Sequence, residues 1–441
     1  MKIAIALACV TACWAAATTA EAQPLNATHE TAATSAADTR LTLLSYDEAL
    51  SRTLEASPLL RAESFGIDAA TASIDQAGTR PNPEIGVEVE NFTGTGPYSR
   101  FGSTETTISY SQRLERGGKR AARIALAQAD RDVAKLDLDR TKLDVENSVR
   151  QAWITMLQAA AEVRNAEQRV TLASEIGDIV RRRVKAARDP IAAGLRADNQ
   201  VAEARTELER AQHSLETAKR SLASLWGGRD ADFSFDDREF YDFSRSYPRL
   251  AGDVPSEVVP ADIAMLLAEV QRSSRSYELE KTKTKQDPSI GVGIRRFENG
   301  NDFAGIVSFS IPLALHDTNR GNINRAMAEK QQAEWLLAEG KRRFSAELQR
   351  QLGEFNAAKA EATSVSNDLV PRAQAAIESL RDGYNRGAFS YTEVSDAERS
   401  LVDLRDRENV ALLRLHQASA AIDRLVAGAV LAEAGKERGN E

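Results

Sequence analysis

Cysteine is almost missing from this chain. Cys9 and Cys13 are the only two, and both fall near the N-terminus. A chain exported and cleaved beyond them keeps no thiol, which removes disulfides, thiolate metal sites and cysteine nucleophiles together. Histidine is scarce as well: His29, His213, His316 and His416 stand singly and far apart. They form no metal-ligand spacing and no Ser/His/Asp order, so neither a catalytic set nor a bound metal nor a cofactor is read here. Aromatic residues make up only 6%, too few for one large globular core and in keeping with long helices rich in Ala, Glu, Arg, Leu and Gln. A concentrated basic tract is absent and the net charge is −8, which sets nucleic acid aside as a partner. Beyond the N-terminus no segment approaches the ~20 consecutive apolar residues of a transmembrane helix. Gly117-Gly118-Lys119 lacks the first glycine and the Ser/Thr of a phosphate-binding loop. It reads instead as a strand-to-helix joint.

What is present begins with an export signal. Lys2 precedes an apolar run at 3–13, and Ala20-Glu21-Ala22 offers a small-residue cleavage site before Gln23. The reading is a signal peptide at 1–22 and a flexible tail at 23–40. A competing reading takes Val10-Thr11-Ala12-Cys13 as a lipoprotein box with Cys13 lipidated.

The rest of the chain is a repeat. Ser109-Tyr110-Ser111-Gln112-Arg113-Leu114 returns as Ser308-Phe309-Ser310-Ile311-Pro312-Leu313. The halves span 41–228 and 256–428, with a linker or small side element at 229–255 and a C-terminal tail at 429–441. Each half has a helix, two strands, a very long helix, a break and a return helix. The strands lie near 84–92 and 104–113, then near 289–297 and 303–312, the second pair joined through Asn299-Gly300. They alternate. Ile85, Val87 and Val89 share one face, and Glu84, Glu88 and Glu90 the other; Ile290, Val292 and Ile294 repeat the apolar face. Strands of this length with one apolar and one polar face suit an outer-membrane barrel, with lipid outside and water within. The long helices, 119–186 and about 320–386, would each extend roughly 100 Å, with Pro371 kinking the second. Four strands cannot close a membrane barrel, whose smallest form has eight, and lipid tolerates no open edge. Three chains would supply twelve strands.

That order of elements resembles the TolC-like outer-membrane efflux channels over about 41–428. Arg80-Pro81-Asn82-Pro83-Glu84, the run Arg113 to Arg123, and Gly387 to Leu401 with Arg414-Leu415-His416-Gln417-Ala418 are similar to the family's heavy-metal, cobalt–zinc–cadmium branch. The resemblance implies a mainly α protein with transmembrane β: a homotrimer whose 12-stranded barrel continues into a periplasmic α-helical tunnel. It implies docking to a periplasmic adaptor and an inner-membrane, proton-driven RND pump. Ile85, Val87, Val89, Ile290, Val292 and Ile294 would then face outer-membrane lipid, and Glu84, Glu88 and Glu90 the lumen. Glu393 and Asp396 match the acidic positions around the family's closed periplasmic mouth, Tyr384 matches an aromatic of the neighbouring constriction, and Gly383 and Gly387 would let the hairpin turn. Ser390 to Glu393 also reads as a helix capping box. Arg113, Arg116, Lys119 and Arg120 would sit near lipid headgroups. The metal cargo rests on the resemblance only. A channel for drugs or solvents and, less well matched, a periplasmic coiled-coil adaptor or scaffold remain the alternative readings.

Overall fold

The structure, a computed structural model of the single chain, describes residues 42–99, 101–229, 231–242 and 259–429. The expected signal peptide with Cys13, the expected N-terminal tail with His29, and the chain beyond 429 lie outside these residues, as do 230 and 243–258.

A short strand β1 (Thr42–Leu43) leads into α1 (Tyr46–Ala56) and α2 (Pro58–Ala77). Ser45 and Ser57 cap them: Ser45 Oγ accepts the Glu48 N–H at 3.2 Å, and Ser57 stands before Pro58, which is preset for a first helical turn. Strands β2 (Glu84–Glu90) and β3 (Glu105–Arg113) follow, then α3 (Lys119–Lys185) and its return α4 (Ile191–Ser224). After β4 (Phe233–Ser234) and β5 (Val259–Pro260) the series repeats as α5 (Ala261–Thr282), β6 (Ser289–Phe297), β7 (Phe303–Ser310) and α6 (Arg320–Ser364). It ends with α7 (Val370–Arg386), the return α8 (Tyr391–Val426) and β8 (Gly428–Ala429).

At 67 residues, α3 is about 100 Å long. It packs along α4 through small side chains. Ala159, Ala166, Ala173 and Val180 in α3, and Ala197, Ala204, Ala211 and Ala218 in α4, are all buried. Each series recurs every seven residues, the spacing that keeps a seam in register between supercoiled helices. Alanine there lets the backbones approach. Pro371 supplies no N–H to the helix ladder. The turn before it, Val365–Leu369, widens into a π-helix that accommodates the loss.

Of the two readings of 229–255, a linker or a small side element, the described part takes the second: it packs on the helices. β4 pairs in parallel with β1, and a 3-10 turn at Asp237–Phe240 buries Phe240 completely. Phe235 and Tyr46 meet Trp153 edge-on, with ring centroids 6.3 and 6.2 Å away. This aromatic knot, with Met156 and Leu222 around it, holds the middle of the helical body.

The strands form one antiparallel sheet in the order β2-β3-β6-β7. The hairpins predicted separately are therefore joined through β3 and β6, with Ile108 opposite Ile294 and Tyr110 opposite Val292. The chain joins α2, α3, α5 and α6 at one end of the sheet, and the loops 91–99 and 101–104, with two short 3-10 turns, and 298–302 lie at the other.

Candidate functional site

Register assigns every strand residue to a face. Ile85, Tyr110, Val292 and Val307 form one cross-strand row, and Val87, Ile108 and Ile294 form the next. Ile290 and Phe309 share that side, as does Val89. These apolar side chains are exposed, Val307 at 82% and Ile85 at 76%. A water-facing sheet would not leave such a continuous apolar surface uncovered. The other face carries Glu84, Ser111, Gly291 and Ser308 in one row, and Glu88, Thr107, Arg295 and Ala304 in another. Between them lie Gly86, Ser109 and Gly293. Glu90 sits at the loop end of that polar face, opposite Glu105.

The joint below the sheet is built from the glycines and arginines of 113–123. Gly117 and Gly118 both have positive φ, 75° and 76°, a conformation that glycine adopts without a Cβ penalty. Lys119 pairs with Asp287 at 2.8 Å, and Arg120 Nε donates to the carbonyl of Gly78 at the end of α2. Arg123 donates to the carbonyl of Thr79 at 3.2 Å and pairs with Glu115. Lys119 and Arg120 therefore have partners within the chain. They fasten the start of α3 to the end of α2 and to the loop between α5 and β6.

At the far end of the helices the two hairpin tips share one design. Gly387 closes α7 at φ 85°: its N–H bonds to the Tyr384 carbonyl at 2.9 Å, and the Ala388 N–H bonds to the Gly383 carbonyl at 2.8 Å. In the first tip the Ala187 N–H bonds to Val184, and Arg188 to Arg183, both at 2.9 Å. Both pairs are Schellman caps. In the first, Ala187 takes the glycine position at φ 56°, which costs an L-residue about 1–2 kcal/mol.

Two expected tip roles need correction. Gly383 lies inside α7 and does not turn the chain; a Cβ there would stand 2.3 Å from the Phe389 ring. It is small so that Phe389 can fold back on the helix. Tyr384 is 1% exposed within the single chain, so its ring does not line an opening. Its hydroxyl donates to Asp189 Oδ2, and Arg183 grips both oxygens of that carboxylate at 2.9 and 3.1 Å. Arg183 also donates to the Tyr384 carbonyl at 2.8 Å and lies 4.6 Å over its ring. Arg183 holds the Asp189 carboxyl below the usual carboxylate range, while burial raises the Tyr384 phenol. A second tie lies one turn inward, where Gln200 Nε2 donates to Ser395 Oγ at 2.7 Å and accepts from Tyr391. Sequence reasoning missed Arg183, Asp189 and Gln200. The repeat held the signal, because an offset of 200 residues sets Val184 on Tyr384 and Ala187 on Gly387.

Glu393 and Asp396 are exposed beside this latch. Glu393 completes the capping box: it accepts from the Ser390 N–H at 2.7 Å, which lowers its pKa. Glu398, further along α8, is 5% exposed, and its Oε2 has no hydrogen-bond partner. Burial raises its pKa. Among the described residues no group of three or more His, Cys, Asp or Glu is arranged to hold a metal, and no helix is long and apolar enough to cross a membrane.

Strands with a lipid-type face, fused to helical hairpins of this length, define an outer-membrane efflux channel. Residues 49–228 and 262–428 match the outer membrane efflux protein family, and the chain belongs to it. Among curated proteins it is similar to the cobalt-zinc-cadmium resistance protein CzcC of Cupriavidus metallidurans, with 29% identity over 85% of this chain and 90% of that one. The pyoverdine export outer membrane protein OpmQ of Pseudomonas putida is 23% identical over 84% of this chain and 78% of its own length. Among solved structures, VceC of Vibrio cholerae superposes with a TM-score of 0.70 at 18% identity, over 88% of this chain and 97% of that one.

Proposed function

We propose that this protein is the exit duct of a tripartite efflux system, exporting divalent heavy-metal cations through a homotrimer docked to a periplasmic adaptor and an inner-membrane RND pump. The observation that carries the channel part is the four-stranded sheet. Its edges, β2 and β7, run antiparallel to each other and have no partner strand within the described residues. Unpaired edges are not tolerated in lipid. Three copies that pair β7 of one with β2 of the next close twelve strands, an even number as such barrels require. Ile85, Val87, Val89, Ile290, Val292 and Ile294 then meet lipid, and Glu84, Glu88 and Glu90 line water. The cargo reading is supported by the likeness to CzcC, stronger in identity than that to OpmQ. The latter favours organic cargo as the second reading. Glu393 and Asp396 would ring the periplasmic mouth, six carboxylates in a trimer, with Tyr384 acting through the Asp189 latch rather than by lining the opening.

The test is the sensitivity of a strain lacking this gene. The metal reading expects lowered tolerance to cobalt, zinc or cadmium, restored by the intact gene. Unchanged metal tolerance with lost tolerance to organic compounds would favour the second reading.

A further inference from the structure

Arg295 is the one residue of the inward face at its loop end that carries positive charge among the described residues. Its neighbour Arg296 belongs to the opposite face by register and pairs with Glu298 at 3.3 Å. Arg295 reaches across three strands. Nε donates to Thr107 Oγ1 at 2.9 Å, and Nη1 donates to Glu105 Oε2 at 2.8 Å. Nη2 lies 2.9 Å from Glu90 Oε2, an ion-pair contact without hydrogen-bond alignment. Asn91 Nδ2 completes the group by donating to Glu105 Oε1 at 3.1 Å. The guanidinium suits this place because its charge is permanent and its fork serves several acceptors at once. Glu88 shares the Thr107–Arg295 row, yet it carries no ion pair among the described residues.

We propose that Arg295 sets the ion selectivity of the outer mouth by offsetting, in each copy, one of the two carboxylate charges of Glu90 and Glu105, so that the lumen there shows passing ions less negative charge than its carboxylates would give. This rests on the channel reading and corrects one part of it. Glu90 lies on the lumenal face but does not act as a free anionic site. The pairs themselves are partly solvated, and their worth to stability is small. Their worth to the field is larger, because each copy otherwise places Glu88, Glu90 and Glu105 uncompensated around one opening. Removing three guanidinium charges from a trimer, at about 10 Å and screened over about the same length at 0.1 M salt, changes the cation-to-anion permeability ratio by about two- to fourfold.

Reversal potentials of the purified full chain in planar bilayers under a potassium chloride gradient test this. Arg295→Gln should move selectivity toward cations by that factor, and Arg295→Lys should stay near wild type. Glu90→Gln with Glu105→Gln, which leaves Arg295 unpaired, should move it toward anions. The charge-neutral combination Arg295→Gln with Glu105→Gln should lie close to wild type. Equal shifts in all variants that lose Arg295, whatever their charge, would reduce Arg295 to a structural tie and overturn the proposal. Conducting channels whose selectivity no variant changes would overturn it too. Failure of Arg295→Gln to assemble leaves the Glu90/Glu105 pair to decide, since an unchanged potential there also refutes it. Wild-type protein without any conductance would overturn the channel reading, and this inference with it.

Discussion

Replacing Tyr384 with Phe removes one oxygen from the tip latch and leaves the ring, its packing and the Arg183 contact to the Tyr384 carbonyl in place. What is lost is a hydroxyl donated to the Asp189 carboxylate. Hydrogen bonds to charged groups contribute about 1.5–3 kcal/mol. Asp189 keeps its bidentate Arg183 partner, so the lower end of that range applies, roughly a tenfold shift of the tips toward separation. Asp189→Asn goes further, because it also weakens the hold on a guanidinium whose side chain is only 14% exposed. Single-channel recording in planar bilayers should show open fraction rising from wild type to Tyr384→Phe to Asp189→Asn. The Asp189 carboxyl has a lowered pKa in the folded protein. Its stabilisation is therefore present above the ordinary carboxylate range and is lost only as pH falls through the lowered value. Between about pH 5 and 8 the wild-type open fraction should not change through this group. An unaltered open fraction in both variants would refute the latch.

Glu393→Ala with Asp396→Ala should leave trimers intact while changing conductance and block by divalent cations; wild-type block would leave Glu393 a helix cap and nothing more. Glu398 carries a raised pKa, so its contribution to stability is full below the normal glutamate pKa and is lost as pH rises through the folded value. Glu398→Gln should therefore raise the melting temperature at pH 7 and lose that advantage in acid, as thermal unfolding across pH would show. Gly383→Val places a branched side chain where a Cβ alone would stand 2.3 Å from the Phe389 ring. About 1–3 kcal/mol of overpacking cost should appear as lowered thermal stability and increased proteolysis at the tips, and Phe389→Ala should relieve it.

Much of this fold is legible in the sequence because its elements are long and strongly periodic. Alternation at 84–90 and 289–297 marks both strands and faces, and unbroken Ala-, Glu- and Arg-rich stretches mark the helices. The Ala197–Ala218 series was equally readable, since a spacing of seven requires only counting. The pairing of β3 with β6 was not, because nothing local in either strand says which neighbour it takes. The tip failed for a similar reason. Glycine 383 resembles a turn residue, yet its smallness serves Phe389, six positions along the chain and reached only after the cap reverses its direction. Asp189 and Arg183 looked like ordinary loop and helix charges until the two hairpins met. Arg295 reads as one of two consecutive arginines, and only the strand register separates the inward one from the outward one.

The central claim is that this sheet stands in a membrane with lipid on one face and water on the other. Spin labels placed one at a time through Ile85→Cys, Val87→Cys, Val89→Cys, Glu84→Cys and Glu88→Cys in reconstituted protein report this directly. Collisions with oxygen, which concentrates in lipid, and with a water-soluble nickel chelate should alternate with a period of two residues. Oxygen should dominate at 85, 87 and 89, and the chelate at 84 and 88. Equal access to the chelate at all five positions would contradict the account.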